Sequence, residues 1–450
     1  MHKSINKYYI ETYGCEMNKS DSIDIALSFE NMGYEKASTE EEASVIVLNT
    51  CSVRPHAEQR IMGRLGYYRS LKKKYPDKII VLAGCLAQQK SAGILGDFPE
   101  INVVAGTYRY TDIPVFVNQS ICSGSPVVAA NMEDFSFSPF KEQRAEGHRA
   151  WVNIINGCSN FCAYCIVPFL RGPEKSKPSG EVIEEISRLA SRGVKEVTLL
   201  GQNVNAYGSD SGDLSFIELL ERINQITGIS WIRFLTSHPK DFDRETVKRI
   251  ASLEKVCRQF HLPVQSGSDR MLSGMNRRYS TAHYLGIVDA IREYMPEASI
   301  TTDIMVGFPG EALNDFEQTM NLVRRVRFDD AFTYRYYDRP FTRSSRMEHK
   351  PDPSEARQRL DRLVKVQRNI SVQKNKELIG SRRWVLVERK SKKSSLEYLC
   401  KTEQGKMVVV ETRAPIGSFI QAYINGISGN TLKGKQIAPS EREYFRKQAI

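Results

Sequence analysis

No run of 18 apolar residues occurs in the 450-residue chain, so no membrane-spanning helix and no membrane partner are expected. The opening stretch MHKSINKYYIETYGC lacks the apolar core of a secretory signal and passes directly into a strand-like pattern. Secretion is therefore not expected, and a cytoplasmic location is. Cysteine is scarce: nine residues, an odd number, mostly outside short-range pairs. That argues against a disulfide framework and for a reducing compartment with metal or redox use. Neither a second CxxC nor an HxxxH lies near the densest cysteine group, so the paired ligands of a usual zinc site are missing. Internal repeats and long low-complexity segments are absent too.

What is present fits a soluble globular protein of two or three domains, with a hydrophobic fraction of 41%. Net charge is +11, and from Lys376 onward 15 Lys and Arg face 7 Asp and Glu, an excess of 8. A basic terminal module suits a polyanion such as RNA or DNA; a solvated charged face is the blander reading.

The first 106 residues read strand, helix, strand, helix, strand at the pitch of parallel βαβ units. Strand-like runs KYYIETYG (7–14), ASVIVLNT (43–50) and KIIVLAG (78–84) each lead into a cysteine, at Cys15, Cys51 and Cys85. Parallel strands share one carboxyl edge, where open α/β sheets place ligands, so these cysteines are expected to converge on a second three-thiolate cluster site. Cys122, Cys257 and Cys400 lack such placement and read as structural. From 107 to 148 the pattern dissolves into a crossover linker.

A regular alternation then returns. Strands are expected at 151–156, 194–200, 230–235, 257–262, 299–306 and 330–337, with helices near 180–192, 215–227, 242–252, 280–294 and 312–326. Six strands with helical crossovers form an open or partial (β/α)6 barrel, active at the carboxyl ends of its strands. The loop after the first strand carries Cys158, Cys162 and Cys165, a CxxxCxxC spacing. Three thiolates on one tight loop hold three corners of a four-iron cluster and leave the fourth iron open to a substrate. Polar groups follow the other strands: GQNVNAYG (201–208), TSHP (236–239), LPVQSGSD (262–269) and TTDIMVGFPGE (301–311). Gly201, Gly267, Gly307 and Gly310 let backbone approach a ligand. His238 and His261 read as structural rather than directly catalytic.

Beyond Asp352 a basic helix runs to about Gly380, and five short alternating runs follow, the pattern of a small antiparallel barrel. Basic residues at its turns, Arg382, Arg383, Lys390, Lys392 and Lys393, suit RNA phosphates. Arg54 and Arg171 flank the two cysteine sets, as phosphate-steering groups or as local salt-bridge partners.

CxxxCxxC with Tyr164 before the last cysteine resembles the radical S-adenosylmethionine (SAM) signature. Nearly the whole chain resembles the methylthiotransferase family, on ETYGCEMN (11–18), NTCSVR (49–54), GRLG (63–66) and GQNVNAYG (201–208). Within it the likeness is to the branch acting on N6-isopentenyladenosine of tRNA. The resemblance implies an α/β chain of three parts. These are a Rossmann-like domain (1–145), a partial TIM-like radical SAM barrel (146–376), and a small RNA-binding β-barrel of the TRAM type (377–440).

It implies two [4Fe-4S] clusters and SAM as cofactors. Cys158, Cys162 and Cys165 would hold the cluster that cleaves SAM to a 5′-deoxyadenosyl radical. Cys15, Cys51 and Cys85 would hold an auxiliary cluster that donates sulfur, with Cys51 also counted among the catalytic residues. Tyr164, Gln202, Asn203, Ser237, Gln265 and Asp303 would contact SAM; motif position favours Gln202, Gln265 and Asp303. The anticodon stem-loop would be the partner, with an electron donor such as flavodoxin or ferredoxin and sulfur- or cluster-supply proteins. Methylthiolation of threonylcarbamoyl-adenosine, and a non-enzymatic iron–sulfur RNA-binding role, are the alternatives. Two departures stand out: Phe341 where the family usually has a small residue, and Cys400-Lys401 where TRAM barrels often carry Gly-Arg.

Overall fold

The computed structural model describes residues 7–52, 55–133, 135–138, 147–392, 394 and 396–438. Arg54 and Lys393 lie outside them. Two compact units appear: one of residues 1–144, 156–159 and 166–177, the other of residues 145–155, 160–165 and 178–450.

The first unit is built on six parallel strands: β1 Lys7–Thr12, β2 Glu35–Lys36, β3 Val45–Thr50, β4 Ile79–Gly84, β5 Val103–Ala105 and β6 Val127–Ala129. Their order is β2-β1-β3-β4-β5-β6. Every residue of β3 and β4 is buried, as expected of central strands covered on both faces. Val45, Val47 and Val81 face helices Glu16–Asn31 and Ile113–Ser123, while Ile46, Leu48 and Leu82 face helix Pro55–Lys74. The expected linker over 107–148 is corrected here. Its first part is a helix that opens on Pro114, a residue suited to a first turn, and then edge strand β6. A sheet-edge strand of three residues is too short to show a period.

In the second unit the six expected barrel strands form, at Arg149–Asn153, Glu196–Leu200, Trp231–Phe234, Gln259–His261, Ser299–Val306 and Asp330–Arg335. They pair in parallel as two triplets, and a bridge from Ile232 to Val256 joins the triplets into one curved half-barrel. Amphipathic crossovers close over a single apolar core that includes Val197, Leu199, Ile232, Phe260 and Ile304.

Five strands, Arg382–Lys390, Glu397–Thr402, Met407–Glu411, Phe419–Ser428 and Thr431–Ile437, make the closed terminal barrel. It is not wholly antiparallel, because Met407–Glu411 and Thr431–Ile437 pair in parallel. The hairpin partner of the last strand, Phe419–Ser428, has moved round to close on the first strand.

The small barrel sits on the amino ends of the half-barrel. Arg149 Nη1 meets Glu388 at 2.7 Å, Lys401 Nζ meets Glu196 at 3.2 Å, and Trp231 packs edge-on against Phe419 at 4.8 Å. Ser299 Oγ donates to Gln404 O at 2.7 Å, and Lys406 Nζ reaches Asp329 at 3.1 Å.

Candidate active site and cluster-binding cysteines

All nine cysteines are thiols outside any disulfide. In the first unit Cys51 directly follows β3 and Cys85 directly follows β4, beside the register pair Thr50–Gly84. Cys15 lies three residues past β1, where it caps the helix Glu16–Asn31. The turns that present them are held by two buried amides. Asn18 Nδ2 donates to Asn49 Oδ1 at 3.2 Å and to Thr50 O at 3.0 Å, while Asn49 Nδ2 returns a bond to Asn18 O at 2.9 Å. Asn18 Oδ1 also accepts from Cys15 Sγ at 3.2 Å. A Cβ on Gly14 would stand 2.5 Å from Asn18 Oδ1 and 3.0 Å from Cys51 Cβ; one on Gly84 would stand 2.5 Å from Asn49 Oδ1. The glycines before Cys15 and Cys85 thus let three strand ends close on one place.

Arg171 belongs to this site. Its Nη2 meets Asp21 Oδ2 at 2.6 Å, with both side chains 5% exposed. Burial pushes the Cys85 thiol up and the Arg171 cation opposes it, with the Cys15 thiol close enough to act on both. Of its two sequence readings, Arg171 is a salt-bridge partner, not an exposed phosphate-steering group. The GRLG motif is structural in the same way: Arg64 Nε grips Glu11 at 2.6 Å, and the Tyr68 hydroxyl shares that carboxylate at 2.7 Å.

Cys158 lies in the first unit, its amide bonded to Gly172 O at 3.0 Å; Cys162 and Cys165 lie in the second, with Cys165 N bonded to Cys162 O at 2.9 Å. A segment that sequence reasoning missed, Met275-Asn276-Arg277, holds the second part of this loop. Ala163 N donates to Met275 O at 2.9 Å, and Asn276 Nδ2 donates to Phe161 O at 2.9 Å. Arg277 Nη1 lies 3.4 Å from Cys162 Sγ, and His238 Nε2 lies 3.9 Å from the same sulfur. A paired Asn-Arg carries no periodic signal, so only the fold brings it to the cysteine loop.

Of the polar residues assigned to SAM, Gln202, Asn203, Ser237 and Gln265 lie in the loops that follow strands, Asp303 lies inside strand Ser299–Val306 and Tyr164 on the cysteine loop, and they differ in what they offer. Ser237 Oγ is buried with no partner among the described residues. Asn203 is committed to protein: Nδ2 donates to Asp241 at 2.9 Å and Oδ1 accepts from His238 N at 3.1 Å. Gln265 holds a left-handed backbone (φ 67°) and accepts from the Tyr334 hydroxyl at 2.6 Å. Asp303 faces His261 at 3.5 Å, Gln202 is half-buried beside Asn203, and Tyr164 packs with Met271, Met275, Met305 and Phe308. Burial and the Arg277 charge drive the His238 pKa down, which keeps that ring neutral.

On the terminal barrel Arg382, Lys390 and Lys392 are exposed, whereas Arg383 is engaged by Glu297 at 2.7 Å. Cys400 and Cys257 are buried and their thiols pushed up to about 12, which suits inert packing.

Donor chemistry at both cysteine sets fits a thiolate-held cluster. Among the described residues no three His, Cys, Asp or Glu side chains close on a single ion. A four-iron cluster asks for a wider set, since each thiolate binds a different iron. The buried Arg277 and Arg171, each within reach of a cysteine sulfur, add positive charge where anionic sulfur is expected.

Comparison with known proteins agrees with this reading. The model of Uncharacterized protein family UPF0004 matches residues 7–106, and that of the Radical SAM superfamily matches residues 152–323. The tRNA-2-methylthio-N(6)-dimethylallyladenosine synthase of Thermoanaerobacter pseudethanolicus is 42% identical over 443 residues, covering 97% of this chain and 94% of the relative. The chain belongs to that synthase family. A relative of the same name from Natranaerobius thermophilus is 42% identical over 406 residues, covering 89% of this chain and 90% of its own. Among solved structures, the radical SAM methyltransferase TsrM from Kitasatospora setae, with cobalamin and a [4Fe-4S] cluster bound, aligns at a TM-score of 0.56. It covers 76% of this chain and 77% of its own at 13% identity, a likeness of fold alone.

Proposed function

We propose that this chain adds a methylthio group to carbon 2 of N6-isopentenyladenosine beside the anticodon of tRNA. The observation that carries this reading is 42% identity across 97% of the chain to synthases named for that product. Membership of a radical SAM family implies SAM and one four-iron cluster; a second cluster, at Cys15, Cys51 and Cys85, is part of the proposal. When bound, these groups supply radical and sulfur chemistry that no side chain offers, which an unreactive ring C–H requires.

The chain's own residues bind and orient. Cys158, Cys162 and Cys165 hold one cluster, with Asn276 fixing the loop. Ser237, Gln202, Gln265 and Asp303 present polar groups to SAM at the carboxyl end, and Asn203 positions the His238 turn. Asn18 and Asn49 fix the turns of the auxiliary cysteines. Arg382, Lys390 and Lys392 meet RNA phosphates, and a reductant of the flavodoxin or ferredoxin class supplies electrons. Cluster- and sulfur-supply proteins restore the auxiliary site between turnovers.

The test is anaerobic. Protein reconstituted with iron and sulfide receives SAM, reductant and an anticodon stem-loop bearing isopentenyladenosine, and the digested RNA is read by mass spectrometry. A methylthio adduct on that nucleoside is expected. Product only on a threonylcarbamoyl-adenosine RNA would overturn the substrate, and RNA binding without SAM cleavage in iron-replete protein would overturn the enzyme.

A further inference from the structure

We propose that Arg277 is a positioning residue: the fixed counter-charge for the cluster that Cys162 helps to hold, setting the potential at which it accepts an electron. This rests on the cluster reading above and goes beyond it, since no motif marks Arg277. Arg277 as a whole is 4% exposed. Its Nη2 donates to Pro263 O at 2.7 Å and its Nε to the Tyr279 hydroxyl at 3.1 Å, leaving Nη1 aimed at Cys162 Sγ at 3.4 Å. No carboxylate pairs with it among the described residues.

A buried guanidinium without an anion is strongly disfavoured, and two neutral acceptors do not neutralise it. A neutral thiol does not either. A thiolate bound to a net-negative cluster does, so the site is electrically complete only when that group is in place. His238 reinforces the direction. Its Nδ1 accepts from Lys240 N at 3.3 Å, which leaves the ring proton on Nε2, 3.9 Å from the same sulfur. The sulfur thus faces one charged donor and one neutral donor. Positive charge and hydrogen bonds at a cluster sulfur favour the reduced, more negative state and raise the potential. One electron from an external flavodoxin- or ferredoxin-class donor enters the cluster, and no bond forms or breaks in that step.

The experiment uses the full chain with Cys15, Cys51 and Cys85 replaced by Ala, so that a single cluster is reconstituted. Its midpoint is measured by dithionite titration followed by electron paramagnetic resonance, with iron content alongside. Arg277→Gln should lower the midpoint by at least about 59 mV, the one-electron equivalent of a tenfold change in reduced fraction. Arg277→Lys, which keeps the charge, should hold it near the parent value. An unchanged midpoint in iron-replete R277Q overturns the proposal. If R277Q takes up no iron, R277K decides: loading at the parent potential supports the charge, and failure to load overturns it in favour of shape. A parent that takes up no four-iron cluster overturns the cluster reading itself.

Discussion

Gly84 shows how a single residue positions the proposed auxiliary site. It adopts φ +86°, and a Cβ there would meet both Asn49 Oδ1 and Thr50 O at 2.5 Å. With ψ at −155°, a positive-φ conformation essentially reserved to glycine, the backbone alone costs another residue about 1–3 kcal/mol, and the collisions add to it. Gly84→Ala should therefore lower stability by about 1–3 kcal/mol or more in denaturant unfolding and reduce iron bound at Cys85. Normal iron uptake would show that the turn tolerates a side chain. Phe341 is the converse case, a bulky residue that holds φ +69° where the family resemblance leads one to expect a small one. That Cys15, Cys51 and Cys85 follow successive strands was legible in the sequence, because parallel strands share one carboxyl edge, whereas Gly14 and Gly84 were not singled out. The contacts of Arg277 and Asn276 with the cysteine loop and the Asn18–Asn49 exchange were not legible, because they join residues 31 or more apart and carry no spacing rule.

Elements with a full period were read closely from sequence: all six half-barrel strands and the five helices between them form near their expected positions. Short ones were missed, since β2 at two residues and β6 at three have no alternation to see. The parallel pair in the terminal barrel was missed because strand direction depends on connection, not on composition. Lys401 gained its meaning only at this scale. It stands where an RNA-contacting arginine was expected, yet it pairs with Glu196, which also holds Arg233 Nε at 2.7 Å. Burial pushes the Glu196 carboxyl up, but Arg233 and Lys401 more than reverse this and bring it from 4.5 down to about 2. A depressed carboxylate stabilises the fold above its unfolded pKa and loses that contribution as pH falls from about 4.5 toward 2. Glu196→Gln should cost about 3–5 kcal/mol, because the buried Arg233 and the half-buried Lys401 lose their anion. The variant should also show a weaker acid dependence of unfolding in that window, and an unchanged dependence would place the linkage elsewhere.

At the scale of the second unit, the terminal barrel packs on the amino ends of the half-barrel, and the polar SAM candidates lie toward the opposite, carboxyl side. An RNA that touched both sides would pass along the outer helices of the half-barrel. Helix Pro353–Glu377 spans that distance: Arg359 bonds Glu311 beyond one carboxyl end, and Lys374 bonds Asp329 at an amino end. Arg357, Lys365, Arg368 and Lys376 are exposed along it. Replacing Arg357, Lys365 and Arg368 by Glu should weaken stem-loop binding at least about tenfold at moderate salt and flatten its salt dependence. SAM cleavage without RNA should be unaffected. Equal affinity in a filter-binding series at two salt concentrations would remove the helix from the RNA path.

Two cysteine sets with separable tasks form the core of this account, and product analysis of two variants tests it most directly. Reconstituted Cys158→Ala and Cys51→Ala proteins are given SAM, dithionite and the isopentenyladenosine stem-loop, and 5′-deoxyadenosine and methylthio-RNA are quantified together. Cys158→Ala should release no deoxyadenosine and make no product, while Cys51→Ala should release deoxyadenosine and make none. Deoxyadenosine from the first variant, or its absence from the second, would contradict the division of labour.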